Sequence, residues 1–495
     1  MKVAILNPSF GDNFVRVARW AAKSRGRVQR HPDYLLTATQ ILIDQGHDVI
    51  FVEAAARNIP PQQSCNIICD FIGDKTPSLL VIHATTPSIY NDIEQAKAIK
   101  LRTGCKVVLV GQHVTAEVED TFNIGKGVVD FILRGEYDYT LRDLANNISY
   151  KDIKGMSWIN DGNIIHNPDR PLLDVNDLPF PAWQLIKPEW YPDAGKKYPF
   201  LTLLTGRGCN NACIFCRDPQ LMYGHKVRTR HPEKVADEME FCIRTHPQIR
   251  EIMFETDTFA ANPEHVKGVC NEIIKRGINK KICWSCNMRV DTELSLLPLM
   301  RKAGCRMLMV GFEFGFDEGL RAVRKGNVSV KMAKKFAEYA HKLGFIIHGC
   351  FMIGAPGETK ETARKTIDFA KSIPLDTVQF SGVAVYPGTK MYFWAKKNNY
   401  LLAKDWREWL TEQHEQRTLL SYPQLSNKEI DEYIDKGLKE FYLRPKQILR
   451  MLASIRSIGD LLRKLYGLKS FIMYFKDKLT GKLKMRKIQG KKYAI

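Results

Sequence analysis

The sequence lacks the features that carry a protein into or across a membrane. It has no uninterrupted apolar run of the roughly eighteen residues that a spanning helix needs. After Met1 it shows no basic patch followed by an apolar run and a small-residue cleavage site, which is the pattern of a secretory signal. These absences predict a cytoplasmic protein. Because disulfides are rare there, we expect the twelve cysteines to be buried thiols or metal ligands.

Acidic residues are scarce at the C-terminal end, where basic residues accumulate. The chain has a net charge of +20, and between Phe441 and Ile495 fifteen Lys and Arg stand against two Asp. Such a segment indicates an anionic partner, either phospholipid headgroups or nucleic acid, with a solvated helical face as the alternative. Few base-stacking aromatics accompany it beyond Phe471, Tyr474 and Phe475, so the composition favours peripheral contact with an anionic membrane. Apolar residues at helical spacing suggest a basic amphipathic helix: Ile448, Leu449, Leu452, Ile455, Leu462 and Leu465.

Short apolar runs alternate with helical patterns through residues 1–148. The predicted strands are Val3–Leu6, Val49–Val52, Leu79–His83, Val107–Val110 and Phe131–Leu133. This alternation is typical of a doubly wound α/β domain, in which ligands lie beyond the carboxyl ends of the strands. The segments after those ends are therefore candidate binding loops, and they comprise Asn7, Pro8, Ser9, Thr85, Thr86, Ser88, Gly111, Gln112, His113, Arg134, Gly135 and Glu136.

Three further regions follow this domain. Residues 149–198 are interpreted as a proline-containing linker with a hairpin at Met156–Ile165. Residues 199–400 hold six strand–helix units, which suit a partial (β/α)6 barrel of the TIM type. Residues 401–495 are predicted to be a basic helical C-terminal region, helical from about Leu402. The barrel strands are predicted at Leu201–Thr205, Glu251–Phe254, Lys281–Ser285, Met307–Val310, Ile346–Phe351 and Val378–Phe380.

The most specific motif is a cysteine triad. Cys209, Cys213 and Cys216 lie within eight residues, in a loop after a predicted strand. Three thiolates can ligate three irons of a 4Fe–4S cluster. With no fourth cysteine at ferredoxin spacing, one iron stays open to a substrate or cofactor. A zinc site would prefer four ligands, usually in two separated pairs, and a chance group of buried thiols is the remaining alternative.

The triad, with an aromatic residue before its last cysteine, resembles the signature of the radical SAM family. In that family the open iron binds the amino and carboxylate groups of S-adenosylmethionine, and one electron from the cluster yields a 5′-deoxyadenosyl radical. The resemblance implies that the triad ligates the cluster and that Phe215 packs beside the adenine. Segments at successive barrel strand ends match in order, and they supply the expected S-adenosylmethionine contacts Glu255, Thr256, Asp257, Arg289, Glu313 and Gly354.

The first domain looks like the cobalamin-binding domain that precedes the barrel in one large radical SAM class, and the resemblance covers about residues 1–400. It implies cobalamin at the candidate loops of the first domain. The D-x-H-x-x-G loop that supplies a lower histidine ligand in other cobalamin domains is missing, because Asn7–Arg16 contains no histidine. Cobalamin would then bind with its own base displaced and no protein histidine on cobalt. The alternative is a domain that has lost cobalamin and serves as a scaffold.

The resemblance implies a radical enzyme that methylates an unactivated carbon. A radical cyclase or rearrangement enzyme is the alternative within the same class, and a nucleic-acid-binding or nucleic-acid-modifying protein is the alternative outside it. The expected partners are a hydrophobic, lipid-like or tetrapyrrole substrate and an electron donor of flavodoxin or ferredoxin type. The basic tail suggests a location at the inner face of the membrane.

A group of basic residues follows the first strand. They either meet an anionic group of cofactor or substrate, or form a solvated face. Its members are Arg16, Arg19, Lys23, Arg25, Arg27 and Arg30.

Overall fold

The computed structural model describes residues 1–17, 20–73 and 77–479. Its strands are β1 Lys2–Asn7, β2 Phe14–Val17, β3 Trp20–Lys23, β4 Asp48–Glu53, β5 Ser78–His83, β6 Lys106–Val110, β7 Phe131–Leu133, β8 Met156–Asn160, β9 Asn163–His166, β10 Phe200–Leu203, β11 Gly206–Arg207, β12 Arg228–Thr229, β13 Glu251–Phe254, β14 Cys283–Arg289, β15 Cys305–Glu313, β16 Ile346–Ile353 and β17 Thr377–Gly382. Its α-helices are α1 Asp33–Asp44, α2 Ala54–Arg57, α3 Pro61–Ile72, α4 Ile89–Thr103, α5 Gln112–Ala116, α6 Val118–Ile124, α7 Asp138–Ala145, α8 Pro232–Thr245, α9 Pro263–Lys275, α10 Ile278–Lys281, α11 Leu296–Lys302, α12 Asp317–Ala322, α13 Val330–Lys342, α14 Lys360–Ser372, α15 Lys390–Lys397, α16 Asn427–Tyr442, α17 Pro445–Ala453 and α18 Ile458–Leu479.

The first sheet has the strand order β4-β1-β5-β6-β7-β8-β9, and its first five strands are parallel. Successive residues of β1 point to opposite faces, so Val3 and Ile5 join one core while Ala4 and Leu6 join the other. Residues of α1 and α7 complete the first core, and residues of α3 and α4 complete the second. The doubly wound prediction is confirmed. The order reverses at β1, which puts the ligand crevice at the carboxyl ends of β1 and β5.

The hairpin assigned to the linker is part of this sheet. Strands β8 and β9 pair with each other, and β8 pairs antiparallel with β7. The turn between them is at Asp161 and Gly162, both with positive φ, as a tight hairpin requires. Sequence alone identified the hairpin but not the sheet edge it extends, because that edge is formed by a strand more than twenty residues away.

The second sheet forms a partial barrel of six parallel strands in the order β10-β13-β14-β15-β16-β17. Among the described strands β10 and β17 do not pair, so the wall is open on one side. On β14, Trp284 and Cys286 belong to the apolar core of the domain. Ser285 lies between them and faces the other way, where it accepts a hydrogen bond from Lys196 at 2.9 Å. The six-unit barrel is confirmed.

Buried polar contacts fix the two domains to each other. The first turn of α1 reaches the barrel, where Thr202 on β10 donates a hydrogen bond to Asp33. Arg30 pairs with Asp193 at 2.7 Å. Arg207 of β11 pairs with Asp138 at 2.7 and 3.0 Å, at the start of α7. Since Asp33, Thr202, Arg207 and Asp138 are almost fully buried, the relative position of the domains is set by polar contacts that are costly to break.

The sequence predicts helix from about Leu402, but the C-terminal region is not helical there. Helix begins at Asn427, after a segment with a single short turn at Trp406–Trp409. That segment lies across both domains instead, since Trp406 donates to Asp120 at 2.6 Å and Trp409 to the Val385 carbonyl at 2.9 Å. Tertiary hydrogen bonds thus override the local pattern. Among the described helices none is long and apolar enough to span a bilayer.

Candidate active site

The cysteine triad lies in the loop between β11 and β12, at the carboxyl end of β10. Gly208 begins the loop with φ +87°, and a Cβ there would come within 2.3 Å of the Lys226 carbonyl oxygen. Only glycine fits this close approach. Two backbone hydrogen bonds of Ile214 connect the loop to the rest of the barrel. The Ile214 amide donates to the Val323 carbonyl at 3.1 Å, and the Ile214 carbonyl accepts from the Met391 amide at 3.0 Å.

One side chain ties the three-cysteine loop together from within. The Gln220 amide nitrogen lies within hydrogen-bond distance of three carbonyl oxygens, at 2.5 Å from Cys216, 3.2 Å from Ile214 and 3.3 Å from Cys213. Its amide oxygen accepts from the Lys390 backbone at 2.9 Å. Sequence reasoning missed Gln220, because nothing in its spacing distinguishes it from a surface glutamine.

The thiols of the triad are surrounded by hydrogen-bond donors. Asn211 Nδ2 is 3.4 Å from Cys209 Sγ, and Thr258 Oγ1 is 3.5 Å from the same sulfur. Arg289 Nη1 is 3.9 Å from Cys213 Sγ. Burial raises the pKa of Cys213, and the nearby cations Lys325 and Arg289 oppose that rise. Donors and cations of this kind stabilise thiolates and tune the potential of an iron–sulfur cluster.

The donor set fits a cubane better than a single metal ion. Within the part of the chain that the structure describes, no three His, Cys, Asp or Glu side chains converge as ligands of one ion do. In a cubane each cysteine binds a different iron, so the thiols stand apart around one loop. Three buried or half-buried thiols with donors to sulfur meet that requirement.

Two of the predicted S-adenosylmethionine contacts lie beside the triad. Arg289 holds Asp291 through two bonds of 2.7 and 2.9 Å and donates to the Lys325 carbonyl at 2.6 Å. Glu313, at φ +64°, pairs with the buried ammonium of Lys325 at 2.5 Å. Burial would lower the pKa of Lys325, but Glu313 and Cys213 together raise it. Gly311 leaves the room that this pair occupies, because a Cβ would lie 2.5 Å from Glu313.

The remaining predicted contacts are distributed over two strand ends and the triad loop. Thr256 Oγ1 accepts from the Thr205 amide at 2.7 Å, so it joins the ends of β10 and β13. Glu255 and Asp257 flank it and are half-buried, and Glu255 reaches the cavity described below. Phe215 is half-buried against the barrel core.

Gly354 lies at the carboxyl end of β16, with φ +103°. The amides of Gly354 and Ala355 donate to the Glu358 carboxyl group at 2.5 and 2.8 Å. The Tyr422 hydroxyl donates to the Gly354 carbonyl at 2.8 Å. Burial raises the pKa of Glu358 to about 7. The loop is therefore shaped by a buried carboxyl group that the sequence analysis did not single out.

A small cavity of about 30 Å³ lies between the carboxyl edge of the first sheet and the barrel. Asn7 and His83, the last residues of β1 and β5, line it from the first domain, and Glu255 lines it from the barrel. It thus occupies the crevice that the strand order defines. The Tyr137 hydroxyl and the Asn7 Oδ1 are buried and have no hydrogen-bond partner among the described residues. Unpaired buried polar atoms in a cavity wall indicate a ligand that completes them.

Two histidines in this cavity were missed by sequence reasoning. Burial, with Arg16 and Arg217 nearby, lowers the pKa of His83 to about 3. His31 stacks on Tyr191 with ring centroids 3.9 Å apart, and its burial lowers its pKa well below the usual range. Both imidazoles are therefore neutral. No sequence motif marks them, since they come from different segments and meet only after folding.

The other predicted cobalamin-loop residues near the crevice form a hydrogen-bonded network. Asn7 donates to both oxygens of Glu53, at 2.9 and 3.0 Å. Thr85 and Ser88 hydroxyls are 2.6 Å apart, and Ser88 donates to Asp92 at 2.8 Å. Pro8 and Ser9 are buried, and Ser9 Oγ donates to the Ile59 carbonyl at 2.6 Å. This edge of the sheet is preorganised.

The loop after β6 lies against the same edge. Gly111, at φ +114°, passes so close to His83 that a Cβ would lie 2.9 Å from its Nε2. His113 Nδ1 is 3.2 Å from Thr86 Oγ1, and burial lowers the pKa of His113 to about 3. Gln112 donates to Asp218 of the triad loop at 3.2 Å, which links the two domains directly.

The charged residues of the loop after β7, Arg134 and Glu136, are both hydrogen-bonded to other residues of the protein. Arg134 donates to the Asn167 carbonyl at 2.6 Å and to Asp169 at 2.8 Å. Glu136 accepts from Arg228 at 2.7 and 2.8 Å and lies 3.4 Å from Arg207. Gly135 adopts φ +63° between them. Glu136 therefore holds the domains together, and its role towards cobalamin stays a prediction.

The basic group after β1 is neither a solvated face nor an open anion site in the described residues. Arg16 pairs with buried Asp92, and Arg27 pairs with Glu415 at 3.0 Å. Arg30 pairs with Asp193, and Arg25 donates to the Phe380 carbonyl at 2.9 Å. Arg19 lies outside the described residues. Arg25 and Arg27 thus join this segment to the barrel and to the C-terminal segment, whereas Arg16 is paired within the first domain.

Comparisons with known proteins agree with this geometry. Residues 203–370 match the model of the radical SAM superfamily. An uncharacterized methyltransferase of Pyrococcus horikoshii is 30% identical over 416 residues, which cover 83% of this chain and 87% of the relative. The anaerobic magnesium-protoporphyrin IX monomethyl ester cyclase of Rubrivivax gelatinosus is 25% identical over 364 residues, covering 70% of this chain and 62% of the cyclase.

A solved structure matches nearly the whole chain. It is the radical S-adenosylmethionine methyltransferase TsrM of Kitasatospora setae, with cobalamin and a 4Fe–4S cluster bound. The TM-score is 0.69 at 16% identity, over 95% of this chain and 99% of that one. At this identity the likeness shows the fold alone.

The chain belongs to the radical SAM superfamily. It is a radical SAM enzyme, and its cofactors include S-adenosylmethionine and a 4Fe–4S cluster.

Proposed function

We propose that the protein is a cobalamin-dependent radical SAM methyltransferase that methylates an unactivated carbon of a hydrophobic substrate. The observation that carries the proposal is the cavity where the carboxyl edge of the first sheet faces the barrel, with Asn7 and His83 on one side and Glu255 on the other. The domains that would hold the two cofactors thus both line this cavity. The methyltransferase name of the Pyrococcus horikoshii relative supports the same reaction.

Cys209, Cys213 and Cys216 would hold the cluster, which supplies the electron that cleaves S-adenosylmethionine to a hydrogen-abstracting radical. Asn211 lies within hydrogen-bond distance of Cys209 Sγ and Arg289 of Cys213 Sγ, so both would donate to sulfur ligands of the cluster. The other predicted contacts to S-adenosylmethionine line the same strand ends, and the Glu313–Lys325 pair fixes the segment opposite the triad. The protein's part is to orient these groups and to exclude water.

The carboxyl edge of the first sheet would hold cobalamin, which supplies the methyl group. The unpaired Tyr137 hydroxyl and Asn7 oxygen fit a ligand with polar side groups. The loop after β1 has no histidine, so the proposal keeps cobalt free of a protein histidine. The Arg16–Asp92 pair and the Thr85–Ser88 contact hold the edge rigid, which favours binding by reducing the entropy lost.

The substrate class and the reductant are also part of the proposal. A hydrophobic substrate is supported by the exposed apolar face of the C-terminal helices, which the next subsection develops. A low-potential donor of flavodoxin or ferredoxin type would supply electrons. The buried charges of the barrel do not oppose this substrate class, because Lys196 and Arg306 both pair with Glu251 at the amino end of the strands.

The decisive experiment is product analysis with anaerobically reconstituted enzyme, cobalamin, a reductant and candidate lipid or tetrapyrrole extracts. Methyl-deuterated S-adenosylmethionine should give S-adenosylhomocysteine together with 5′-deoxyadenosine, and the label should appear in a methylated product. A variant with all three triad cysteines changed to alanine is the control and should form neither nucleoside. If 5′-deoxyadenosine forms without S-adenosylhomocysteine, methyl transfer is refuted.

A radical cyclase is the second candidate, and the likeness to the Rubrivivax gelatinosus cyclase favours it. The same assay separates the two, because cyclisation consumes S-adenosylmethionine as a radical source without transferring its methyl group. A nucleic-acid substrate would instead show binding that falls steeply with salt.

A further inference from the structure

The C-terminal helices α17 and α18 carry an unusual concentration of exposed apolar side chains. Of the nineteen large hydrophobic residues that are exposed in the described chain, eleven lie between residues 443 and 473. They are Leu443, Ile448, Leu449, Leu452, Ile458, Leu461, Leu462, Leu465, Leu468, Ile472 and Met473. Exposed apolar side chains concentrated on two consecutive helices indicate an interaction site, whereas single exposed apolar residues do not.

The orientation of these helices is fixed by polar contacts on the opposite side. Gln447 is 1% exposed and donates to the Asp376 carbonyl at 2.6 Å, and Arg450 pairs with Asp376 at 3.2 Å. On α18, Tyr466 donates to the Arg27 carbonyl at 2.8 Å and Tyr474 to Asp435 at 2.7 Å. An ordinary amphipathic helix packs its apolar stripe inward. Here much of the apolar stripe faces out, and the polar contacts face the protein.

Basic residues flank the exposed stripe. Lys446, Arg456, Lys469 and Lys476 are exposed, and Asp460 is the only acidic residue between 443 and 476. The sequence beyond residue 479 adds six Lys or Arg and no acid. Cations beside an outward apolar face match the headgroup and acyl layers of an anionic bilayer.

We propose that α17 and α18 dock the protein on the surface of an anionic phospholipid membrane. The stripe enters the acyl boundary, and the flanking Lys and Arg bind the headgroups. The high positive charge of this region opposes its use as a contact between two copies of the chain, because like charges would face each other. Vesicle binding does not depend on the proposed reaction.

The structure argues against nucleic acid as the occupant. Base stacking needs free aromatic faces. Tyr474 is 4% exposed, and Phe471 packs between Tyr442 and Phe475 at centroid distances of 5.8 and 4.7 Å. The tail aromatics of the described chain are therefore used to hold α18 in place.

The docking face lies on the open side of the barrel. Tyr466 contacts Arg27, and the guanidinium of Arg25 lies 5.2 Å from the Tyr474 ring while it donates to Phe380 on β17. β17 is one edge of the open wall. If the proposed hydrophobic substrate is correct, membrane docking would bring this side near its source. That part of the inference rests on the proposed function.

The test is co-sedimentation of the full reconstituted chain with vesicles of phosphatidylcholine alone, or of phosphatidylcholine mixed with phosphatidylglycerol. We expect about tenfold or greater preference for the anionic vesicles, weakened by salt. The variant L449Q/L452Q/L462Q/L465Q should lose about tenfold or more in binding. Its matched control is L101Q/M332Q/F393Q, which changes exposed apolar residues elsewhere and should bind as the parent does.

Three outcomes would overturn the proposal. They are absence of vesicle binding by the parent, equal binding of parent and stripe variant, or loss of binding in the elsewhere-substituted control. The alternative occupant of this face is a second copy of the chain, and light scattering of all three proteins without lipid tests it. If the parent is a dimer and the stripe variant is a monomer, the face is a self-association surface and the proposal is wrong. Circular dichroism before each assay shows that every variant is folded. Activity on a soluble substrate should be unchanged in the stripe variant, so failure of docking and failure of the proposed reaction are distinguishable.

Discussion

Substitution of Gln220 tests how the three-cysteine loop keeps its shape. The Gln220 amide nitrogen has two hydrogens for the carbonyls of Cys213, Ile214 and Cys216, so the 2.5 Å bond takes one and the two longer contacts share the other. With the bond accepted from Lys390, three hydrogen bonds depend on this side chain. At a net contribution of about 1 kcal/mol each, Q220A should weaken the closed loop by about 3 kcal/mol.

The consequence is measurable as iron retention. Because 1.4 kcal/mol is a factor of ten, the open loop should be populated about a hundredfold more in Q220A. Loss of iron to a chelator under anaerobic conditions should accelerate by a similar factor. Q220E is the sharper variant, since a carboxylate has no hydrogen to donate and would face three carbonyl oxygens, so it should lose iron at least as fast.

The control is Q424A, which removes an exposed glutamine that donates to the Glu358 carbonyl at 3.2 Å, away from the triad. It should retain iron as the parent does. If Q220A and Q220E released iron at the parent rate, the loop would be held by its cysteines alone, and the argument from Gln220 would be wrong.

Three further predictions concern groups that the structure places in the interior. Burial raises the pKa of Glu358 from 4.5 to about 7, so the stability that its protonated form contributes is complete below pH 4.5 and is lost as pH rises through 7. The E358Q variant should therefore lose about 3 kcal/mol less stability than the parent over this pH range, measured by thermal unfolding at several pH values. An unchanged dependence of stability on pH would contradict the prediction. E136A should lower the free energy of unfolding by about 3–5 kcal/mol, because Arg228 stays largely buried without its carboxylate partner while Arg207 keeps Asp138. A loss below about 1 kcal/mol would show that water replaces the carboxylate. The electron paramagnetic resonance spectrum of protein loaded with cob(II)alamin should show no splitting from an imidazole nitrogen, either in the parent or in H83Q. A splitting that is present in the parent and absent in H83Q would make His83 a cobalt ligand.

The sequence by itself determined the elements and the first residues of the site. The alternation of apolar runs with helical patterns is local, because each strand or helix is defined by the residues within it. It was sufficient for a doubly wound sheet and six barrel strands. The spacing of Cys209, Cys213 and Cys216 is local too, so the cluster motif could be recognised in one loop without knowledge of the fold.

Tertiary structure decided which distant groups meet. His31, His83 and Tyr137 line one cavity, although they come from three segments of the first domain. Arg16 and Asp92 are 76 residues apart and pair completely buried, which the sequence left as a choice between ligand contact and solvated face. No periodicity encodes such pairs, because they depend on how distant segments of the first domain pack against each other.

The C-terminal helices show most clearly which features follow from local sequence and which follow from long-range contacts. Their apolar and basic residues were visible in the sequence as an amphipathic pattern. The pattern could not state whether the apolar stripe faces the barrel or the solvent, since both orientations have the same helical period. Hydrogen bonds from Gln447, Tyr466 and Tyr474 fix the polar side against the protein. The outward face was therefore decided by long-range contacts alone.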